Sequence, residues 1–259
     1  MKTCIVSTRQ GADSMALWKA AQISDDYSVY KSYNYKMPSV VENPFVYGTM
    51  QFADVIAKQF NLKLLEPPLD FLANLSKNYP EYVKRDIQIM PHKDVHKVKS
   101  LKFIKPANDK VFVADLYPTG SDIPNKYIDP ECPIIVSDVI SLEEEFRCYV
   151  LDRKVVTASC YAWKNMLYED NPRHTDSAKE FVENMLKNEG IKIPSSCVID
   201  VGLVNEDWVV IEANQTYASG IYHEANLINL FPAIFRSSNC NVNKEDEPFV
   251  RNLIGAKNE

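Results

Sequence analysis

A chain of 259 residues can bury one large core or two smaller ones, and 46% hydrophobic with 25% charged residues is an ordinary globular composition, which excludes wholesale disorder. A formal net charge of −6 and a pI near 5.4 exclude a general electrostatic attraction to nucleic acid or to an anionic membrane, so any affinity for phosphate has to be local. The six cysteines contain no CxxC pair, the N-terminus MKTCIVSTRQG has too short an apolar run for a signal peptide, and no later run reaches membrane-spanning length; together these predict a cytoplasmic protein.

The first ninety or so residues alternate in type. Cys4 to Ser7 reads as a strand, Asp13 to Ile23 as a helix, Tyr27 to Tyr35 as an aromatic extended stretch and Tyr47 to Phe60 as a second helix, the pattern of a small α/β unit. A strand at Lys63 to Leu65 and a helix at Leu69 to Leu75 follow. Pro80 opens a helical turn leading to Arg85 and the strand Ile87 to Met90. The polar, lysine-rich stretch Pro91 to Ser100 is the natural boundary between an N-terminal α/β unit, residues 1–98, and a second unit, residues 99–259. His92 and His96 in that stretch have helical metal-ligand spacing, but no third ligand is near and a solvated linker accounts for them. Strand-like runs follow at Leu101 to Lys105, Val111 to Leu116, Pro133 to Ser137, Glu145 to Leu151 and Lys154 to Tyr161. An amphipathic helix, about His174 to Asn188, comes before a hairpin over Val198 to Asn214. Apolar residues from Gly220 to Phe235 have helical spacing, and the tail from Asn239 is expected to end in a peripheral charged helix. The whole is α+β.

The hairpin carries the first chemistry. A three-residue loop at Asn205, Glu206 and Asp207 sets Val204 opposite Trp208 and Asp200 opposite Glu212, with Asn214 on the same face, while Ile199, Val201, Leu203, Val209 and Ile211 fill a core. Two carboxylates about 5 Å apart repel by roughly 3 kcal/mol at an effective dielectric of about 20. A divalent cation on Asp200, Glu212 and Asn214 offsets that, and such oxygen ligands suit magnesium carrying nucleotide phosphates. The plain alternative is a solvated polar face.

Other residues suit a nucleotide. Lys105 ends a strand that Pro106 breaks, so it can project towards a phosphate, and Lys110 in the following loop can close over the same group, although a surface lysine is the usual explanation of a Lys-Pro pair. The strand end Val136, Ser137, Asp138 and Val139 can offer backbone groups to an adenine edge. Alternation puts Glu145, Arg147 and Tyr149 on one face against Phe146, Cys148 and Val150, and a mid-strand Arg147 needs a partner: Glu145, in a structural pair across the sheet, or a bound phosphate. Arg85, between the aromatic segment Tyr79 to Tyr82 and a strand, can reach the cleft between the units. With Arg147 it is a candidate to stabilise a transferring phosphoryl group or to anchor a substrate carboxylate.

In chain order, Arg85, Phe103-Ile104-Lys105-Pro106, Glu145-Phe146-Arg147, Asp200 and Glu212-Ala213-Asn214 resemble the ATP-grasp superfamily of carboxylate–amine ligases, specifically the clade named for two arginines and one lysine, over about Tyr47 to Phe235. The resemblance implies an ATP-grasp fold, two α+β lobes sandwiching ATP, behind a small α/β domain. It further implies Mg2+ on Asp200, Glu212 and Asn214, Lys105 on the α/β-phosphates, adenine near Val136 to Val139, ribose contacts from Glu144 or Glu145, and activation of a carboxylate as an acyl phosphate that an amine attacks. Small-molecule or peptide acids and amines are then the substrates, with no nucleic acid or membrane partner and with the oligomeric state, a homodimer included, left open. Two departures stand out. The loop Ala107 to Ala114 lacks the glycines that many relatives use near phosphate, a role Lys110 is expected to take. Gln215-Thr216-Tyr217 with Gly220-Ile221-Tyr222 fits this clade better than the familiar amino-acid ligases. No Walker GxxxxGK[ST], strand-linked GxGxxG or HExxH motif is present, which leaves a phosphotransferase on the same fold and a non-catalytic nucleotide-binding module as the alternatives.

Overall fold

The computed structural model describes residues 1–253 except 10, 34, 39, 108–110, 125–127, 164–165, 168–173 and 223–224. The N-terminal sheet is parallel, in the order β2-β1-β3, from β1 (Lys2–Ser7), β2 (Tyr27–Ser32) and β3 (Pro44–Tyr47). Cys4, Ile5 and Val6 are fully buried because the central strand is covered on both faces. α1 (Gly11–Ala21) joins β1 to β2, and α2 (Met50–Phe60) follows β3. The expected helix from Tyr47 starts only at Met50, since Tyr47 is drawn into the sheet opposite Val6 and the Thr49 hydroxyl caps the helix by accepting the Phe52 N–H at 3.2 Å.

β4 (Lys63–Leu64), α3 (Phe71–Asn78) and a 3-10 turn at Pro80–Tyr82 lead to β5 (Ile87–Pro91). β5 joins an antiparallel sheet of order β5-β8-β6-β7, with β6 (Lys102–Pro106), β7 (Asp115–Tyr117) and β8 (Pro133–Ser137); this is the small lobe. The large lobe is antiparallel, of order β11-β10-β9-β12-β13: β9 (Glu144–Leu151), β10 (Lys154–Trp163), β11 (Met166–Leu167), β12 (Ser196–Val204) and β13 (Asp207–Asn214). One face of it packs Phe146, Cys148, Val150, Ile199 and Val201 against α3 and α4 (Thr175–Leu186). The other face carries Tyr149 and Val198 into a core shared with α5 (Leu227–Ser237) and the N-terminal sheet.

Chain order and spatial grouping differ. β5 precedes residue 98 but pairs with β8, while α5 and β14 (Ser238–Asn239) return to the N-terminal sheet, β14 pairing with β4. Of the expected charged terminal helix, residues 254–259 lie outside the described residues; the described part is a 3-10 turn at Lys244–Phe249 followed by extended chain, with Arg251 held by Asp54 and Glu66. The linker reading of His92 and His96 is likewise corrected for His92, which is 5% exposed on a 3-10 turn, where a spacing of four does not align two side chains. None of the six cysteines is in a disulfide, and five of them are buried. Among the described residues no helix is long and apolar enough to cross a membrane.

Candidate active site

The hairpin reaches its register by a route different from the expected one. Its loop has two residues, Asn205 and Glu206, at φ 48° and 69°, and pairs Val204 with Asp207. Continued without interruption, this ladder sets Ile211 opposite Asp200. A bulge after Val210 absorbs Ile211, so Asp200 does face Glu212, and Val198 faces Asn214. Between turn and bulge the faces are exchanged relative to expectation: Val210 and Trp208 pack with Phe146 in the α4-side core.

On its other flank Asp200 pairs with Arg147 of β9. The guanidinium forms a fork, Nε to Oδ1 at 2.9 Å and Nη2 to Oδ2 at 2.7 Å, and donates from Nη1 to Gly220 O at 3.2 Å. Asp200 is therefore the partner of Arg147, for which Glu145 or a bound phosphate had been the candidates, while Glu145 accepts from the Tyr161 hydroxyl at 2.8 Å. From the small lobe, Lys105 reaches across to Glu212 Oε2 at 2.5 Å. A line of four charges, Lys105, Glu212, Asp200 and Arg147, with the two acids side by side between the two cations, thus runs from β6 to the middle of the large sheet. Burial pushes the Asp200 carboxyl up to about 6, against the lowering effect of Arg147 and with a further push from Glu212. Burial also raises the Glu212 carboxyl, but Lys105 and Asn214 outweigh it and leave it below its ordinary value. Burial pulls the Arg147 guanidinium down, yet the two bonds to Asp200 hold it above its ordinary value.

Asp200, Glu212 and Asn214 share one face and offer the hard oxygens that Mg2+ takes. Asn214 now presents its amide nitrogen, at 2.7 Å from Glu212 Oε1 and 3.4 Å from Asp200 Oδ2, and must turn about its terminal torsion to present oxygen. Among the described residues no cluster of three or more His, Cys, Asp or Glu forms a metal site. The set is two carboxylates and an amide side by side on one face, the donor chemistry a divalent cation takes, with Lys105 and Arg147 each neutralising one of the acids.

The remaining expected residues lie around this line. Val136, Ser137, Asp138 and Val139 form the end of β8 and the start of the crossing to β9: Val136 and Ser137 are buried, Asp138 is paired with Lys102, and Val139 is 43% exposed. Glu144, 8% exposed, is bonded to His174 Nδ1 at 2.9 Å. Arg85 bonds Ser137, Val83 and Ile211. Lys110 lies outside the described residues. Sequence reasoning gave no site role to Tyr161 or to Tyr222, which stack with centroids 5.0 Å apart and have the Arg147 Cζ 5.6 and 5.3 Å from their rings. It also gave none to Asp13 and Tyr47, which tie α1 and β3 to the Ser219–Ile221 segment beside Arg147. Only Asp13, an acid in the first turn of a helix, carried a local signal.

No curated protein matches the chain. Among solved structures it is similar to a RimK domain protein ATP-grasp from Sphaerobacter thermophilus DSM 20745, at TM-score 0.51 and 11% identity over 83% of this chain and 91% of that one. It is also similar to D-alanine–D-alanine ligase from Bacillus anthracis, at TM-score 0.52 and 12% identity over 92% and 97%. The same ligase complexed with ATP gives TM-score 0.51 and 11% identity over 91% and 98%. These likenesses show the fold. The family model for the ATP-grasp domain, R2K clade family 2, matches residues 82–227, more than half of the chain and the stretch from Tyr82 before Arg85 to α5, and the chain therefore belongs to that family.

Proposed function

We propose that the protein is an ATP- and Mg2+-dependent carboxylate–amine ligase that forms an amide or peptide bond through an acyl phosphate. The observation that carries this reading is the charge line Lys105–Glu212–Asp200–Arg147, with its oxygen donors in the middle and a cation from each lobe at either end. Bound ATP supplies the phosphoryl group that activates the carboxylate for attack by the amine. Asp200, Glu212 and Asn214 would hold Mg2+. Lys105, released from Glu212, and Lys110 neutralise the polyphosphate. Val136 to Val139 line the adenine, and Glu144 or Glu145 the ribose. The Arg147 fork holds Asp200 ionised beside it, and the remaining N–H groups of the guanidinium would serve a phosphate or a carboxylate. Buried cysteines outside any disulfide support a reducing, cytoplasmic setting.

The test supplies purified protein, ATP and Mg2+ with panels of acids and amines. ADP and phosphate are expected only when both an acid and an amine are present, and oxygen-18 from a labelled carboxylate should appear in the released phosphate. A phosphorylated product from a single acceptor identifies a phosphotransferase, and nucleotide binding without turnover across the panels identifies a binding module.

A further inference from the structure

The segment Val83 to Asp86 has little to do in a simple strand connection, yet it touches both lobes. Lys84 sits at φ 49°, a left-handed conformation that a non-glycine residue adopts at a cost, and this turns Arg85 back so that Nη1 reaches Val83 O at 2.9 Å. Nε then donates to the Ser137 hydroxyl of β8 at 3.1 Å, and Nη2 to the carbonyl of Ile211 in β13 at 3.4 Å. Lys84 pairs with Asp207, the first residue of β13, at 2.7 Å. Asp86 exchanges backbone bonds with Asp138, donating to its carboxylate at 3.1 Å and accepting its N–H at 3.0 Å. One corner thus grips the end of the small-lobe strand β8 and the edge strand of the large sheet at once.

Among the described residues no carboxylate lies within ion-pair distance of Arg85; all three of its bonds go to neutral acceptors. Burial brings its pKa down to about 10, with Asp138 pulling the other way, so the group remains charged at neutral pH. A part-buried cation bonded to neutral oxygens contributes direction more than stability. The residue whose carbonyl it takes is Ile211, the extra residue of the bulge, and an extra residue is one whose backbone the ladder leaves without a partner. That bulge alone turns Glu212 onto the face of Asp200.

We propose that Arg85 is a positioning residue: by holding the Ile211 carbonyl to the end of β8 it keeps the bulge in place, and with it Glu212 opposite Asp200 and in reach of the small lobe. The inference rests on the reading of Glu212 as a magnesium ligand. It predicts an unusual rescue. Deleting Ile211 removes the bulge, and the uninterrupted ladder from the two-residue turn then sets Glu212, Ala213 and Asn214 opposite Asp200, Ile199 and Val198, as in the native pairing. Arg85 becomes dispensable in that background.

The experiment measures binding of the non-hydrolysable ATP analogue AMP-PNP by calorimetry, with Mg2+ and with EDTA, in a double-mutant cycle of Arg85→Lys and Ile211 deletion. Arg85→Lys is expected to lower the Mg2+-dependent gain in affinity about tenfold in the native background, equivalent to about 1.4 kcal/mol, and less than twofold in the deletion background. Amide hydrogen exchange of the single variant Arg85→Lys without ligand is expected to quicken at residues 210–214 of β13 and not in β9; this readout stands if the deletion variant does not fold. Equal losses in both backgrounds, a loss of the same size with EDTA, or unchanged exchange in β13 overturns the inference and makes Arg85 a direct phosphate or substrate contact. A wild-type protein whose AMP-PNP affinity does not respond to Mg2+ overturns the metal reading instead, whatever the exchange shows.

Discussion

Replacing Arg147 by Met removes the guanidinium and keeps most of its apolar stem. Asp200, with a side chain 1% exposed, then loses both bonds of the fork and keeps the neighbouring charge of Glu212. Removing one partner of a buried pair costs about 3–5 kcal/mol where the other stays charged. The relief available to Asp200 is a proton. In the wild type its carboxyl already sits at about 6 against an ordinary 3.8, so the native state binds the proton more tightly than the unfolded chain. The contribution is therefore favourable at low pH and is lost as pH rises through about 6, a change of roughly 3 kcal/mol at about 1.4 kcal/mol per pH unit, and constant above that. Without Arg147 the carboxyl rises further and the loss continues past pH 6 at the same slope. The cost of Arg147→Met, measured by urea unfolding in buffer free of Mg2+ and nucleotide, should thus be smallest below about pH 6 and grow by up to about 3 kcal/mol by about pH 8. Adding Asp200→Asn should abolish the growth. A cost independent of pH between those values, or an unchanged slope after Asp200→Asn, would refute the reasoning.

Lys105→Ala should weaken MgATP binding or raise the barrier by roughly 1.5–3 kcal/mol, the worth of a charge-assisted contact, and equal calorimetric affinity and steady-state rate in wild type and variant would remove Lys105 from the site. Glu212→Gln should abolish turnover with the fold retained by circular dichroism, and a variant that turns over ATP with unchanged magnesium dependence would end the metal assignment. Gly202→Ala should destabilise by about 1–3 kcal/mol in urea, because the new Cβ would stand 2.6 Å from Leu142 Cδ2, 3.0 Å from Ile211 Cδ1 and 3.1 Å from the Glu144 carbonyl. Wild-type stability in that variant would show that β12 shifts freely beside Asp200.

What local pattern could reach in this chain was the existence and type of most elements and, through the order of short motifs, the ATP-grasp fold. Alternation in β9 separated Arg147 and Tyr149 from Phe146, Cys148 and Val150 because a strand turns successive side chains to opposite faces, and the two faces do meet different cores. The opposition of Asp200 and Glu212 was legible too, though through two departures that cancel: a loop one residue shorter than expected and a bulge one residue longer. Neither has a signature in the run DWVVIEAN, since an extra residue in a strand is fixed by tertiary contacts, here the room that Gly202 leaves beside the Ile211 side chain and the Arg85 donor on the Ile211 carbonyl. Tertiary structure alone decided the partners. Arg147 finds Asp200 and Lys105 finds Glu212 across 53 and 107 residues of chain, β5 leaves the N-terminal segment to pair with β8, and α5 with β14 returns to close the first sheet. Periodicity records which face of an element is apolar, but ion pairs and sheet edges are settled by which faces meet, and that is decided only when the whole chain has packed.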